Sequence, residues 1–444
     1  MHINLLSLIL LSVLSIQLSS LKFLQLSDFH YDVEYNSNGI ANQMCHENSS
    51  QAPSIPLGQF GDYLCDSPAK LIENAVAAAA KVIANPDVLL WTGDNVPHIE
   101  EYNEEYVKNA LQFTTSTIQR YFKDVTVLPT LGNHDMTPSN QFGENDKVYE
   151  ITVELWDKWL TVEEKKLYRY GGYYSRVINN EYFLILNTNL YYTYDKRNFT
   201  DPADPAGQFA YTEKILEQAQ KNKVAAHIIA HIPPGLYERV PGTKWFTDAS
   251  NKRFMDILTK YKDTIKLLVF GHHHGDTFHV IRDDKDNPIN VAYISPAVTP
   301  WYSGLGFGAN NPSFRIFDYD EKKAVLNDVL TYNVNLTALN QDQNTLWALE
   351  YSHKEAYGMS DLSAASYANL VDGFSKNETL FQKYMLYNTV STDDSVPNGT
   401  IRTGQLCSLN HADYEKYEKC LKGSSALHYS SWFIVTLFVL ILNF

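Results

Sequence analysis

The chain has 444 residues, of which 44% are hydrophobic, and a formal net charge of −15 at pH 7. Its length suffices for one large domain, or for a large domain with an appendage, and allows a sizeable buried core. The negative charge repels a phosphate polymer on approach, so we do not expect a protein that binds a nucleic-acid polymer.

The N-terminus carries an apolar run at residues 5–16, followed by the small residues Ser19 and Ser20. This pattern predicts a secretory signal peptide over residues 1–20, although the segment lacks the usual Lys or Arg at its start. A buried first strand is the alternative, and it is less favoured because a separate strand pattern begins at Leu21. We therefore expect a protein that is secreted or displayed at the cell surface, with an endolysosomal compartment as the alternative.

Five N-x-S/T sequons support passage through the secretory pathway. The predicted glycosylation sites are Asn48, Asn198, Asn335, Asn377 and Asn398. A single sequon carries little weight, because such tripeptides often arise by chance.

Four cysteines, an even number, fit an oxidising compartment. Three pairings are formally open, and we expect Cys45 with Cys65 and Cys407 with Cys420, because short loops close without a long-range coincidence. A zinc site made of all four thiolates is the alternative. It is disfavoured because the sequence lacks a C-x2-C pair.

The C-terminus holds a second apolar run at residues 432–442, preceded by the small residues Gly423, Ser424 and Ser425. The run is shorter than the roughly 20 residues that a spanning helix needs. Residues 423–444 are therefore predicted to be a cleaved GPI-attachment signal that would hold the protein on a membrane surface. A tail anchor, or an apolar terminus without such a role, is the alternative.

Helical and strand patterns alternate through the first three quarters of the chain. Helices are predicted at residues 68–83, 106–121 and 148–160, and strands at residues 23–26, 88–91, 125–131, 224–229 and 265–270. Such alternation predicts an α/β sandwich over residues 21–331. Residues 332–422 have Tyr, Leu and Ala at helical spacing and predict a helical C-terminal subdomain.

Each predicted strand ends in a polar cluster. The clusters hold Asp28 and His30, then Asp94, then Asn133, His134 and Asp135, then His231, and finally His272, His273 and His274. The ends of neighbouring strands meet at one edge of a sheet, where α/β folds place their sites. The five clusters are thus expected to converge.

The donor types predict a pair of metal ions. Two Asp, one Asn and four His provide seven ligands, whereas two four-coordinate ions need eight bonds, so one ligand must bridge. Asp94 is the natural bridge, because a carboxylate has two oxygens and a charge that offsets the repulsion between cations. Mixed nitrogen and oxygen donors suit zinc, with manganese or iron possible.

Two histidines are left out of this set. His272 and His274 point the same way if the backbone is extended, so His273 points the opposite way. His227 precedes His231 by one helical turn, but the apolar residues between them and the prolines that follow favour a strand. We therefore predict a buried structural histidine at 227.

The ordered motifs D-x-H, G-D, G-N-H-D, H-x-P-P and G-H-x-H resemble those of the calcineurin-like metallophosphoesterases, and more closely those of the acid sphingomyelinase-like phosphodiesterases. Further similar residues are 92–95, Pro97, His98, 231–235, Asp204, Pro205, Gln208, Phe209, 295–301, 310–312, Phe314 and Arg315. The resemblance implies a four-layer αββα sandwich. The stretch from Leu21 to Cys45 is too short for the saposin module that acid sphingomyelinases carry, so extracting a lipid would need a helper.

The resemblance also implies roles for individual residues. One metal would be held by Asp28, His30, Asp94 and His274, and the other by Asp94, Asn133, His231 and His272. A hydroxide between the ions would attack phosphorus. His134 would protonate the leaving oxygen with Asp135 orienting it, and His98 would lie near the phosphate.

Three functions remain open. The protein is expected to be a phosphodiesterase for small phosphodiesters or nucleotides, a sphingomyelin phosphodiesterase that releases phosphocholine, or a non-catalytic surface binding module. Intact candidate ligands and His134 argue against the third. The candidates for an aromatic rim that would favour lipid are Trp245, Phe246, Trp301 and Tyr302, for which ordinary packing is an equal alternative. We expect a monomer.

Overall fold

A computed structural model describes residues 20–47, 57–302 and 308–424. The apolar run of the predicted signal peptide, the sequon at Asn48 and residues 425–444 of the predicted attachment signal lie outside this part of the chain. Those predictions remain sequence-based.

The described residues form twelve strands and twelve α-helices. The strands are β1 (Leu21–Leu26), β2 (Val88–Trp91), β3 (Val127–Pro129), β4 (Tyr174–Ile178), β5 (Glu181–Ile185), β6 (Ala226–Ile229), β7 (Ile265–Phe270), β8 (Thr277–Arg282), β9 (Pro288–Ile294), β10 (Ser313–Asp320), β11 (Val325–Asn333) and β12 (Ala348–Ser352). The helices are α1 (Ala69–Val82), α2 (Glu104–Tyr121), α3 (Lys147–Leu155), α4 (Val162–Gly171), α5 (Gln208–Asn222), α6 (Asp248–Lys260), α7 (Leu336–Gln341), α8 (His353–Tyr357), α9 (Ala364–Phe374), α10 (Glu378–Asn388), α11 (Gly399–Asn410) and α12 (Tyr414–Ser424).

The strands form two mixed six-stranded sheets. The first has the order β12-β11-β10-β1-β2-β3, and the second has the order β4-β5-β6-β7-β9-β8. Strands β1, β2 and β3 are parallel neighbours, as are β5, β6 and β7. The carboxyl ends of each parallel set therefore lie at one edge of its sheet.

The two sheets pack face to face through a continuous apolar core. Phe23 of β1 meets Phe183 of β5 edge to face, with ring centroids 5.7 Å apart. Tyr319 of β10 donates a 3.0 Å hydrogen bond to Glu181 of β5. Helix α1 contacts β10, whereas α5 contacts β5 and α6, α9 and α11 contact β8. This is the predicted α/β class with two sheets between helical layers.

Local signals explain where the helices begin. Asn103 caps α2 by accepting a hydrogen bond from the backbone N–H of Tyr106, and Glu104 and Glu105 follow in the first turn, where they complement the helix dipole. Buried residues spaced along one face, such as Leu111 and Ile118, dock α2 on the core. Strands β2 and β7 have the predicted bounds, and the other predicted elements differ at their ends.

The C-terminal region is more mixed than predicted. Strand β11 runs through the predicted boundary between residues 331 and 332, and β12 adds an edge strand to the first sheet within the region predicted as helical. Helices α9 and α11 pack on the second sheet. The boundary itself stays a prediction, because the region shares sheets and core with the preceding domain.

Both predicted disulfides are confirmed: Cys45 pairs with Cys65, and Cys407 pairs with Cys420. The four sequons within the described residues, at Asn198, Asn335, Asn377 and Asn398, are exposed. Their glycosylation remains a prediction. None of the helices in the described ranges combines the length and hydropathy that a membrane span requires.

Candidate metal centre and active site

The loops after five strands meet at the carboxyl edges of the two sheets. Asp28 and His30 follow β1, Asp94 follows β2 and Asn133 lies beyond β3 in the first sheet; His231 follows β6, and His272 and His274 follow β7 in the second. Asp28, His30 and His231 have no exposed side-chain surface. The structure thus brings all seven predicted metal ligands together.

Asn133 lies at the centre of one group of donors. Its Oδ1 is 3.0 Å from His231 Nε2 and 2.8 Å from His272 Nδ1. Asp94 Oδ2 is also 3.0 Å from His231 Nε2. The Asn133 amide donates to Asn140 Oδ1 at 2.9 Å, so its oxygen faces the imidazoles.

A second group shares Asp94 with the first. His30 Nε2 lies 3.4 Å from Asp94 Oδ2 and 4.0 Å from Asp28 Oδ1. His274 Nε2 lies 3.1 Å from His30 Nε2 and 3.7 Å from Asp28 Oδ1. Asp94 therefore occupies the bridging position between two sets of donors.

The backbone of the site is unusual, because five of the seven residues have a positive φ. The values are 52° at Asp28, 42° at His30, 57° at Asp94, 74° at His272 and 60° at His274. This left-handed region is costly for residues with a Cβ and clusters at functional sites. The extended backbone assumed for residues 272–274 is wrong, since the chain turns sharply as it leaves β7.

The two glycines beside Asp94 allow two loops to approach closely. Gly93 has a φ of +89°, and a methyl group there would overlap the backbone of Gly132. A methyl group at Gly132 would overlap the Asp94 carboxylate. Only glycine fits these positions, which explains the G-D and G-N-H-D motifs.

The orientation of two imidazoles fits a cation. His30 Nδ1 lies 2.7 Å from the carbonyl oxygen of Val96, and His231 Nδ1 lies 2.7 Å from that of Thr92. Because a carbonyl can only accept, both Nδ1 atoms carry a proton, and each Nε2 atom, which can take a cation or a second proton, faces a carboxylate oxygen. A positive charge between these groups is attracted by both, so the residues fit the binuclear centre that the donor set predicts.

The pKa values of the metal-free protein agree with this description. Burial raises the pKa of Asp28 to about 7, with the nearby Asp94 charge adding to it. Burial lowers the pKa of His30 to about 3. Burial opposes charge on His231, but the Asp94 carboxylate outweighs it and raises the His231 pKa to about 9. A proton on His231 supplies part of the positive charge that the clustered carboxylates attract.

His134 lies beside the donors without joining them. Its backbone N–H donates to Asp94 Oδ1 at 2.8 Å, and its ring centroid is 5.3 Å from that of His30. The buried Nδ1 atom has no hydrogen-bond partner within the described part of the chain. Burial lowers the pKa of the imidazole. The ring therefore borders the donor set with one nitrogen that no described group holds.

The predicted role of Asp135 is wrong. Its carboxylate accepts from the backbone N–H groups of Gly132, Asp94 and Asn95 at 2.9, 3.0 and 2.6 Å. It also accepts from the Asn95 side chain at 3.1 Å and the Val96 N–H at 3.3 Å. These bonds turn the carboxylate toward the loop after β2. Asp135 braces that loop and does not orient the His134 ring.

His98 is oriented by a partner that sequence reasoning missed. Its Nδ1 lies 3.1 and 3.0 Å from the two carboxylate oxygens of buried Asp66, which also accepts from Thr299 Oγ1 at 3.0 Å. The His98 ring is stacked between His30, at 4.0 Å, and Trp301, at 3.7 Å. No sequence motif marks Asp66, because its contact with His98 forms only where two loops meet in the folded chain.

The candidate rim aromatics divide into two kinds. Trp301 stacks on His98, and Trp245 lies edge to face on the His272 ring at 4.4 Å, so both border the site. Phe246 is buried against Phe254 in the core. Ordinary packing therefore describes Phe246, whereas the two tryptophans flank the donors.

The two histidines left out of the ligand set lie as predicted. His227 is buried within β6, and its Nε2 is 2.8 Å from Glu181 Oε2, between the sheets. His273 turns away from the centre, with Nδ1 2.7 Å from Glu238 Oε2. Both side chains have structural partners of their own.

Comparisons with known proteins agree with the fold. A family model described as calcineurin-like phosphoesterase matches residues 21–276, and one described as acid sphingomyelin phosphodiesterase C-terminal region matches residues 287–427. Fold and site therefore define a metal-dependent phosphodiesterase of the calcineurin-like class, which uses a binuclear centre. No saposin module is among the regions matched.

Similarity to individual proteins identifies the family within this class. Acid sphingomyelinase-like phosphodiesterase 3b of Homo sapiens is 36% identical over 91% of this chain and 90% of its own. Cyclic GMP-AMP phosphodiesterase SMPDL3A of Homo sapiens is 36% identical over 90% of each chain. Sphingomyelinase phosphodiesterase C of Dictyostelium discoideum is 30% identical over 92% of this chain and 94% of its own. The chain belongs to the acid sphingomyelinase-like phosphodiesterase family.

Proposed function

We propose that this protein is a zinc-dependent phosphodiesterase that hydrolyses small soluble phosphodiesters or nucleotides. The observation that carries the proposal is the convergence of four imidazoles and three oxygen donors around Asp94, with the Nε2 atoms of His30 and His231 facing inward. Mixed nitrogen and oxygen donors favour zinc over magnesium or calcium.

The ligands are proposed to form two sets that share Asp94. Asp28, His30 and His274 would hold one ion, and Asn133, His231 and His272 the other. Two divalent cations, when bound, lower the pKa of water and neutralise charge on a phosphate. The chain's own groups orient the donors through the Val96 and Thr92 carbonyls.

Two further imidazoles would act on the substrate. His134 has an unpartnered Nδ1 beside the centre, and we assign it the proton that the leaving oxygen needs. His98 is held through Nδ1 by Asp66, which points the rest of its ring toward His30 and His274. It would bind a phosphate oxygen.

The substrate proposal favours a small soluble molecule. One similar protein is named a cyclic GMP-AMP phosphodiesterase and another a sphingomyelinase phosphodiesterase. The Trp301 ring stacked on His98 offers a flat surface next to the donors, which suits a nucleobase. Sphingomyelin is the second candidate, because the same tryptophan is half-buried and apolar at the edge of the site.

We also propose that the protein is a secreted or GPI-anchored monomer. The two disulfides support an oxidising compartment, and the exposed sequons support the secretory route. Zinc binding, the anchor and the location are all open to direct measurement.

The test is a comparison of rates by one preparation. Purified protein is assayed on bis(p-nitrophenyl) phosphate, a cyclic dinucleotide, a nucleoside triphosphate and micellar sphingomyelin, before and after chelation and with zinc or manganese restored. We expect chelation to abolish hydrolysis, zinc to restore it, and soluble substrates to react faster. Asn133→Ala should be inactive, whereas Lys166→Gln, an exposed change on α4 outside the donor loops, should match wild type. Full activity of Asn133→Ala, or turnover that survives chelation, contradicts the proposal.

A further inference from the structure

A buried chain of polar contacts lies behind the candidate metal centre. Trp245 Nε1 is 2.6 Å from His273 Nε2, and His273 Nδ1 is 2.7 Å from Glu238 Oε2. The side chains of His273 and Glu238 have no exposed surface. Trp245 also borders the His272 ring, so the chain leads from the edge of the donor set to Glu238.

The chain fixes the tautomer of His273. An indole N–H can only donate, so His273 Nε2 must carry the lone pair and Nδ1 the proton. The Nδ1–H then lies 2.7 Å from the Glu238 carboxylate, in a close polar contact. The ring cannot rotate without breaking the Trp245 hydrogen bond and separating Nδ1 from Glu238.

This tautomer argues against a third metal site. Ligand atoms of Glu238, His273 and His279 lie within 4.8 Å of one another, an arrangement that could hold a metal ion. A metal on His273 Nδ1 would move the proton to Nε2, where it would face the N–H of Trp245. Two donors pointing at each other are repulsive, so the tautomer with its proton on Nδ1 is favoured.

Glu238 is itself held by the C-terminal region. Asn388, the last residue of α10, donates to Glu238 Oε1 at 3.3 Å and to the carbonyl of Asp276 at 3.2 Å. The Asn388 carbonyl accepts from the Asp276 backbone N–H at 3.0 Å. Helix α10 thus ties Glu238 to the end of the ligand loop.

The loop needs such a support because both neighbours of His273 are in left-handed conformations, with φ of 74° at His272 and 60° at His274. An L residue leaves this region unless surrounding contacts hold it there. Trp245 reaches the same loop a second way, since its ring lies edge to face on His272 at 4.4 Å.

We propose that His273 is a positioning residue: its anchored side chain keeps His272 and His274 turned into the proposed metal centre. The inference rests on the proposed function, because those two residues are the ligands that it positions. A change at His273 should therefore loosen the metal without removing a ligand.

The test uses a matched pair of buried histidines. His273→Leu removes the hydrogen bond from Trp245 and the contact with Glu238, and His273→Asn restores a donor near the Nδ1 position. His227 contacts Glu181 through Nε2 at 2.8 Å between the sheets. His227→Leu therefore removes a histidine–carboxylate contact away from the ligand loop, and His227→Gln restores a donor near the Nε2 position. Each full-length variant is measured for zinc content, for zinc release into a chelating dye and for the visible spectrum of its cobalt(II) form.

We expect His273→Leu to release zinc about 10- to 100-fold faster than wild type and to shift the cobalt spectrum, as supporting residues of metal ligands do. His273→Asn should recover part of both effects. The His227 variants should lower the melting temperature yet keep the wild-type release rate and spectrum.

The outcomes separate this inference from the proposed function. Wild type that binds no zinc refutes both. Wild type that binds two ions, with His273→Leu unchanged in release and spectrum, refutes the positioning role alone. Equal acceleration in His227→Leu also refutes it, since general destabilisation then explains the loss. Three bound ions in wild type and two in His273→Leu would overturn it in favour of a metal site.

Discussion

The first sheet supplies Asp28, His30, Asp94 and Asn133 to the candidate metal centre, whereas the second supplies the three imidazoles of His231, His272 and His274. The first sheet with its loops, here called the first half, therefore carries the two carboxylates and the amide oxygen. The second sheet with its loops is the second half. The second half carries donors that are neutral when they bind a metal. The charge that attracts two cations comes from one sheet, and the geometry depends on both.

Hydrogen bonds from the first half also hold the ligand loops of the second half in place. The Thr92 carbonyl, at the end of β2, accepts from His231 of the other sheet at 2.7 Å, and Asp28 accepts from the His272 backbone N–H at 3.1 Å. Gln25 of β1 donates to the Phe270 carbonyl of β7 at 2.9 Å. The first half is thus a charged frame on which the second half docks, and metal binding should stabilise the packing of the sheets.

The largest effect is expected from removing the shared charge. Asp94→Ala takes a ligand from both metals and leaves His30 and His231 without their carboxylate, so zinc content should fall from two ions to less than one per chain. Hydrolysis should fall by more than about 10³-fold.

Removing one ligand of the second half provides the comparison for Asp94. His274→Ala should retain one of the two ions, measured by metal analysis after gel filtration. Retention of both ions by Asp94→Ala would show that the first sheet is not the charged frame.

The next largest effect concerns His134, which lies in the first half but is not proposed to bind metal. His134→Gln should keep two zinc ions and lose about 10²- to 10⁴-fold in kcat on substrates with alkoxide leaving groups. The loss should be much smaller on bis(p-nitrophenyl) phosphate, because p-nitrophenolate leaves without a proton. Steady-state kinetics on both substrates measure the difference, and equal losses would exclude His134 as the general acid.

Zinc affinity should depend on pH because one candidate ligand in each half has a shifted pKa. In the metal-free protein the pKa of Asp28 is about 7 and that of His231 about 9. Both must be deprotonated to bind metal, so protons compete with zinc and affinity falls as pH falls. We expect about tenfold weaker binding per pH unit below pH 9 for the ion that His231 would hold, and about tenfold per unit below pH 7 for the ion that Asp28 would hold.

Competition with a zinc-sensitive dye at several pH values measures this slope. The number of protons released can be checked by calorimetry in buffers of different ionisation enthalpy. Affinity that does not change between pH 6 and 8 would contradict the protonation states of both halves.

The smallest effect on the site is expected from a change remote from both halves. Cys407 and Cys420 join α11 to α12 across 13 residues. Replacing both with serine should lower the free energy of unfolding by about 3 kcal/mol, because the unfolded chain gains entropy. Zinc content and kcat should remain those of wild type, as judged by denaturant titration beside metal analysis. A loss of zinc would show that this region supports the centre directly.

Much of the site could be predicted from the sequence, because its donors follow apolar strands and their chemical types are specific. The seven candidate ligands that converge, the buried His227 and the two local disulfides all follow from residue type and short spacing. The αββα class follows from the alternation of patterns and from the family resemblance. These features depend on local physical chemistry that a strand or a short loop retains in any surrounding.

The partners of those residues were decided by the tertiary structure. Asp135 was predicted to orient His134, yet it accepts five hydrogen bonds from neighbouring loops, and Asp66, the true partner of His98, went unnoticed. The left-handed turns at His272 and His274 and the anchor at Glu238 were equally invisible. A single residue determines the chemical type of a donor. Its hydrogen-bond partner and its backbone conformation depend on distant loops that meet only when the two sheets pack together.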